Sequence, residues 1–593
     1  MARGLKYTLE CICNGRKAVT SRRTPNLLLD FSWPNFERMF SFVIYVLLWL
    51  LIPRQAVESE FLIILRDQAD LSPAYTLTSK AQRGQFTRDA LLNTAELTQR
   101  DLTAWLESHN VPHRSFYIVN AIWVKTQKEI ADEIAIRADV LRVEPNPQVR
   151  MQLPRLPLQA LQDLTSVPQL TAGIEPGLNA IHAPEVWALG YRGEGITIAS
   201  ADTGVQWDHP ALKSKYRGWN GSSANHNFNW HDSIHTGGGT CGANSTAPCD
   251  PHSHGTHTAG TAVGDDGAGN QIGVAPEAKL IACRNMNEEG AGSPASYIEC
   301  MEFFLAPYPI GGTRAQGDPT RAPDITINSW GCPPTEGCGE GTLKAAVEAQ
   351  RAAGIMMVVA AGNAGPFCAT AGEPPGHYDA SYTVGALDQA GNIAAFSSRG
   401  PSTIDQSGRI KPDISAPGVN VRSSVPGGGY LSFQGTSMAA PHVAGAVALL
   451  WSARNALRHK IDSTEDILNH SAASVSANVC STNGVPNNAY GWGRLNIKAA
   501  VDLALSSLGR VTANGQSLAG VTIYFSRVSG NGSIPPPVLT DATGKWSQTG
   551  FDEDTRYVAY ARLGNYTFVP RVREFAGPAT GLDFQTSARS TRR

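Results

Sequence analysis

Residues 435–445 read GTSMAAPHVAG and continue as AVALLWSA. Ser437 is placed at a loop-to-helix junction, with Pro441 in the first helical turn, where a missing N–H is tolerated. A hydroxyl there meets unpaired backbone N–H groups and the positive end of the helix dipole, both of which favour negative charge beside it. Ala439, Ala440, Ala444, Gly445 and Ala446 leave the helix with little bulk, so it can run through a core. The segment therefore reads as a nucleophile at the mouth of a buried helix.

Outward from it, strands alternate with helices over about 173–506. Candidate strands are 196–201, 279–282, 324–328 and 355–360. The helical patterns are SPASYIECMEFFLA and TLKAAVEAQRAAG, the second stopped by Gly354. Such alternation predicts an α/β domain with a mostly parallel sheet covered by helices on both faces. The run IMMVVAA fits a strand buried on both sides. Ligands of such sheets sit beyond the carboxyl ends of the strands, where the motifs below fall.

ITIASADTGVQWDHP (196–210) sets Asp202 at the end of a buried strand, where it can accept a hydrogen bond from a histidine and fix its tautomer. Alone, it is an ordinary strand-end carboxylate. HSHGTHTAG (252–260) opens a helix at His254, with small residues for close packing. His254 and His257 are three apart and no HExxH glutamate is present, which argues against zinc. MMVVAAGNAG (356–365) ends a buried strand at Asn363, whose amide can donate to a developing oxyanion.

In the order Asp, His, Asn, Ser, these motifs resemble the subtilisin family of serine proteases, as do NSWG (328–331), GVAPEAKL (273–280), FSSRGP (396–401) and KPDISAPG (411–418). The NSWGCPP and HSHGTHTAG contexts resemble the bacillopeptidase F-like branch. The resemblance covers 173–506. It implies that Asp202 orients His254, that His254 takes the proton of Ser437, and that Ser437 forms an acyl-enzyme. Asn363 and the Ser437 N–H would hold the oxyanion. Ser329, Trp330 and Gly331 would bind the substrate backbone, and Glu373 would lie at the base of the pocket for the residue on the acyl side (P1), favouring Arg or Lys there.

Two departures concern calcium. HPAL puts Ala211 where many relatives carry a ligand aspartate, and GDDGAGNQIG (264–273) replaces the calcium loop after the histidine helix. No cofactor is required. Asp265, Asp266 and Asn270 are the candidates for a structural calcium, against the reading as a solvated turn.

Before the catalytic segment, Phe61–Leu65, a helical stretch with Leu91, Ala95, Leu102, Trp105 and Leu106, two short β pieces, the helix KEIADEIAIRAD and Val140–Val143 follow a β-α-β-β-α-β order. Residues 57–145 thus resemble the ferredoxin-like α+β propeptide of subtilisin-like proteases, which implies an intramolecular inhibitor. Residues 146–172, rich in Pro, Gln and Leu, read as a linker and processing region. Residues 508–586 carry GVTIYF, YVAYA and YTFVP between turn signals and resemble a small carboxypeptidase-regulatory-like β-sandwich module.

The apolar run Phe40–Ile52 is shorter than the ~20 residues a bilayer-spanning helix needs and reads as a signal-peptide core within an N-terminal extension, 1–56, in preference to a membrane anchor. The stretch before it is long for such a signal, which makes Met39 an alternative start. Eight of the ten cysteines fall between Cys241 and Cys480. Proximity favours Cys241–Cys249, Cys283–Cys300 and Cys332–Cys338, leaving Cys368 with Cys480, and so an oxidising compartment. An insertion at about 216–250, with Cys241 and Cys249, reads as a stapled surface loop.

With 593 residues, several domains are required. A net charge of −2 gives no reason to invoke nucleic acid or a charged membrane. The partners are protein or peptide substrates and the chain's own propeptide, and the molecule is read as an exported monomer. The alternatives are an exported non-catalytic binding protein using the C-terminal module, and an esterase. The intact triad weighs against the first. The absence of a GxSxG elbow with a later histidine weighs against the second.

Overall fold

The computed structural model describes residues 58–151 and 173–586. The signal-like run, the start-codon alternative and most of the linker lie outside the described residues.

The segment 173–506 is built on seven parallel strands. Across the sheet they run Ile414–Pro417, Tyr382–Leu387, Met356–Ala360, Ile325–Asn328, Thr197–Asp202, Lys279–Arg284 and Trp230–Asp232. Successive side chains point to opposite faces, and both faces are dry. Ile198, Ile327 and Val358 face a core shared with the helix Thr436–Ala453. Ala199, Ala201 and Ile281 face Phe303 and Phe304 of the helix Pro294–Leu305. The α/β fold with helices on both faces follows from this patterning.

Two helices carry the motif residues and pack on one another, Thr436–Ala453 and His254–Val263. Small residues make this possible. A Cβ on Gly445 would meet the Ala262 carbonyl of the other helix at 3.0 Å.

The insertion at 216–250 is more than a surface loop. It supplies the edge strand Trp230–Asp232; Trp230 is wholly buried, and Asp232 pairs with the buried Arg284. Arg284 Nε donates to Asp232 Oδ1 at 2.8 Å. Removing one partner of such a pair costs about 3–5 kcal/mol, because the other charge is left unmatched.

The four disulfides are the three that proximity favours, Cys241–Cys249, Cys283–Cys300 and Cys332–Cys338, and the pair left over, Cys368–Cys480. The last joins cysteines 112 residues apart, and closing so long a loop stabilises the fold by about 4–5 kcal/mol in the chain-entropy picture.

Residues 58–145 form an antiparallel sheet in the order His113–Phe116, Ala121–Thr126, Ser59–Leu65, Val140–Pro145. The single helical stretch read in the sequence is two helices, Lys80–Thr98 and Arg100–Ser108. Leu62, Leu91 and Phe116 of this unit share a core with Ile298, Met301 and Val347 of the segment that follows. At the other end, two four-stranded sheets enclose Val511, Ile523, Trp546, Tyr557 and Phe584.

Candidate active site

Asp202 ends its strand wholly buried, with three donors on its carboxylate. Oδ1 accepts from His254 Nδ1 and from the Thr203 N–H, each at 2.7 Å, and Oδ2 accepts from Thr258 Oγ1 at 3.1 Å. His254 begins its helix, also fully buried, and the aspartate fixes its proton on Nδ1. Its Nε2 is buried without a hydrogen-bond partner among the described residues.

The turn before His254 is held by Asp250, which the motif reading did not single out. One carboxylate oxygen accepts from His252 N–H, Ser253 N–H and Thr203 Oγ1; the other accepts from Thr256 N–H and Oγ1. Ser253, with φ of 90°, lies in the left-handed region that few side chains adopt. Five hydrogen bonds to one carboxylate offset that strain.

Ser437 is the second residue of its helix and 2% exposed. Pro441 stands in the second turn rather than the first, as the sixth helical residue. It therefore removes the N–H that would reach the Ser437 carbonyl four residues back. Ser329 Oγ donates to that carbonyl instead, at 2.9 Å, while the Ser437 hydroxyl donates to the Ser329 carbonyl at 3.1 Å. Ser329 thus grips the serine from both ends. No hydrogen bond joins Ser437 to His254 in this state.

Asn363 follows the strand Met356–Ala360. Its Oδ1 accepts from the Thr436 N–H at 2.9 Å and from Thr436 Oγ1 at 3.1 Å, which orients the amide beside the start of the serine helix.

A cavity of about 200 Å³ opens beside these residues, lined by Ser329, Trp330, Gly331, Asn363, Glu373 and Ser437. Every sequence-derived substrate residue is on its wall. A Cβ on Gly331 would collide with Glu373 Oε2, so the glycine leaves room for the carboxylate. Burial, with the negative Glu336 nearby, raises the Glu373 carboxyl to about 7. The Trp330 ring stacks on Tyr297, and its indole N–H donates to the Ala201 carbonyl at 3.1 Å.

Residues 149–151 reach the same cavity. Val149 and Arg150 pair antiparallel with Gly292 and Ala291, and Met151 N–H donates to the Gly290 carbonyl at 2.9 Å. Glu336 accepts the Arg150 N–H at 2.8 Å, and Arg150 and Met151 line the cavity. Within the segment 146–172 read as a linker, Val149–Arg150 is therefore an ordered strand. The preceding unit is anchored beside it. Glu302 accepts the N–H groups of Tyr117 and Ile118 at 2.6 and 3.0 Å, and Asn146 Oδ1 accepts the Ala295 N–H at the helix start. Lys80 binds the Ala322 and Pro323 carbonyls and Asp324.

The candidate calcium residues are engaged by protein donors. Asp266 accepts from the N–H groups of Ala268 and Asn270, from Asn270 Nδ2 and from the Tyr430 hydroxyl. Asp265 accepts the Gly267 N–H, and Asn270 Oδ1 accepts from Arg422, which also pairs with Glu175.

The subtilase family model matches residues 193–493. Bacillopeptidase F of Bacillus subtilis (strain 168) is 39% identical over 439 residues, 71% of this chain and 29% of that protein. Subtilisin DY of Bacillus licheniformis is 31% identical over 331 residues, 55% of this chain and 97% of that one. The serine protease AprX of Bacillus subtilis (strain 168) is 34% identical over 309 residues, 48% of this chain and 63% of that one. The chain spans less than a third of bacillopeptidase F but nearly all of subtilisin DY. With its parallel sheet and the motifs gathered at one sheet edge, the chain belongs to the subtilase family of serine-type endopeptidases.

Proposed function

We propose that this chain is an exported serine endopeptidase, made as a precursor that inhibits and then processes itself. The observation that carries the reading is the buried Asp202–His254 hydrogen bond at 2.7 Å, with Ser437 at the start of a neighbouring helix. The Nδ1 proton is held by the aspartate, so Nε2 is the basic nitrogen. Rotation of the Ser437 hydroxyl from the Ser329 carbonyl to Nε2 would prepare the attack. His254 then takes the proton, Ser437 forms the acyl-enzyme, and the imidazolium returns the proton to the leaving amine. Asn363 and the Ser437 N–H stabilise the oxyanion. The triad chemistry needs no cofactor, and Arg422 supports the 264–273 loop where a calcium would otherwise serve.

Residues 58–151 act as the propeptide, with 149–151 lying in the groove as a substrate strand would. The strand enters the serine's cavity at Met151, so the first cut falls shortly after that residue. The mass of the N-terminal fragment released from the wild-type precursor checks this. A fragment ending before Asn146 or beyond 173 would refute the assignment. The four disulfides fit an oxidising compartment outside the cytosol. Residues 508–586 form an appended β-sandwich module, and the enzyme works as a monomer on protein or peptide substrates.

Glu373 sets a preference for Arg or Lys at P1. Its carboxyl, raised to about 7, is neutral below that pH and charged above it. Preference for P1-Arg over P1-Leu therefore grows between about pH 6 and about pH 8. Glu373→Gln should lower the ratio about 10–100-fold at the upper pH, the worth of a charged hydrogen bond, and flatten its pH dependence. Equal kcat/KM for both peptides in wild type at that pH would refute the role.

A further inference from the structure

Away from the triad, one histidine has no account in the mechanism. His377 is fully buried, and neither Nδ1 nor Nε2 has a hydrogen-bond partner among the described residues. Buried polar groups are almost always paired, because leaving a donor or acceptor unmatched costs about 1–3 kcal/mol. Burial also lowers this imidazole to about 4, so at neutral pH it is the uncharged, lone-pair-bearing form. A ring nitrogen of His377 and carboxylate oxygens of Glu340 and Asp405 all lie within 4.8 Å of one another.

We propose that Glu340, His377 and Asp405 form a structural site for a divalent transition-metal ion, of which Zn²⁺ is the probe of choice. One imidazole and two carboxylates are zinc donors, with metal–ligand distances of about 2.0–2.2 Å and water as the fourth ligand. Calcium fits less well, since it takes six to eight oxygen ligands and this cluster offers a nitrogen and few oxygens. The three donors come from separate segments that are already tied together. Tyr378, next to His377, donates its hydroxyl to the Glu340 carbonyl at 2.7 Å, and Arg409 donates to the His377 carbonyl at 2.9 Å. Arg409 also pairs with Asp405, neutralising one carboxylate and leaving the cluster one net negative charge to attract a cation. The ion would brace the segment that starts at Glu373, whose carbonyl accepts the His377 N–H. It takes no part in the peptide-bond chemistry, and the site does not depend on the protease reading.

The test is titration calorimetry of the full chain with ZnCl₂ after chelation and dialysis, with CaCl₂ as a separate arm. Glu340→Gln and Asp405→Asn change side chains at or near the surface, so both variants are expected to fold, which circular dichroism verifies. One Zn²⁺ per chain is expected, with a rise in melting temperature. Each variant should weaken binding about 100-fold or more, the upper range for losing even an outer-shell partner of a metal, and remove the thermal shift. No zinc binding, binding unchanged in both folded variants, or tighter binding of calcium than of zinc would each overturn the site.

Discussion

Ser437→Ala is expected to leave the precursor at full length, unlabelled by a fluorophosphonate and inactive on casein, with turnover lowered about 10⁶-fold. The size follows from what the serine does. Without it no acyl-enzyme forms, and the Asp202–His254 pair has no hydroxyl to deprotonate, while the oxyanion donors can still stabilise direct attack by water. What remains is the catalysis of binding and electrostatics alone, about 10³–10⁴ over water. The replacement is mild for the fold. Ser437 lies at a helix start, and its hydroxyl makes one hydrogen bond to protein, to the Ser329 carbonyl. Stability should therefore change little. A variant that still shortens after Met151 in the absence of other proteases would refute self-processing. One that still hydrolyses casein would refute the nucleophile.

Asp202→Asn is expected to cost about 10⁴-fold in kcat while leaving substrate affinity nearly unchanged. Oδ1 now accepts both the His254 Nδ1 proton and the Thr203 N–H. An amide must present its NH₂ to one of its donors: facing Nδ1 it forces the histidine proton to Nε2, where the base is needed; facing Thr258 it keeps the acceptor but loses the negative charge that balances an imidazolium. Both outcomes raise the barrier and neither alters the cavity walls. A pH–rate profile separates this from misfolding, because part of the lost rate should return at high pH, where hydroxide can take the serine proton in place of the histidine. A variant within tenfold of wild type would show that Asp202 does not orient the base.

Much of the site was legible because each motif is local. Asp202 stands at a strand end, His254 and Ser437 at helix starts, and Asn363 after an apolar strand, so each type of position can be read from a dozen neighbouring residues. The strands Tyr382–Leu387 and Ile414–Pro417 were not picked out, since short buried runs carry no periodicity that separates them from other apolar segments. Trp230–Asp232 reads as loop in the sequence for a similar reason: three residues between turn signals give no pattern, yet pairing with Lys279–Arg284 makes them an edge strand. Asp250 leaves no mark in the sequence because its work is five hydrogen bonds to backbone and hydroxyl groups of two segments, and nothing in PCDPHS around 249 announces that.

What the sequence determined alone was the kind of residue at each motif position, the parallel α/β class, and the cysteine partners that lie near one another in the chain. These depend on spacing, and spacing is printed in the sequence. The tertiary structure decided what depends on distances between segments far apart in the chain. Ser329, 108 residues from Ser437, supplies the hydrogen bond that Pro441 cannot and accepts the serine hydroxyl in return. The strand at 149–151 lies against Ala291 and Gly292 and meets Glu373 in one cavity. A backbone hydrogen bond between remote segments leaves no mark on residue type, so only the folded chain could show it.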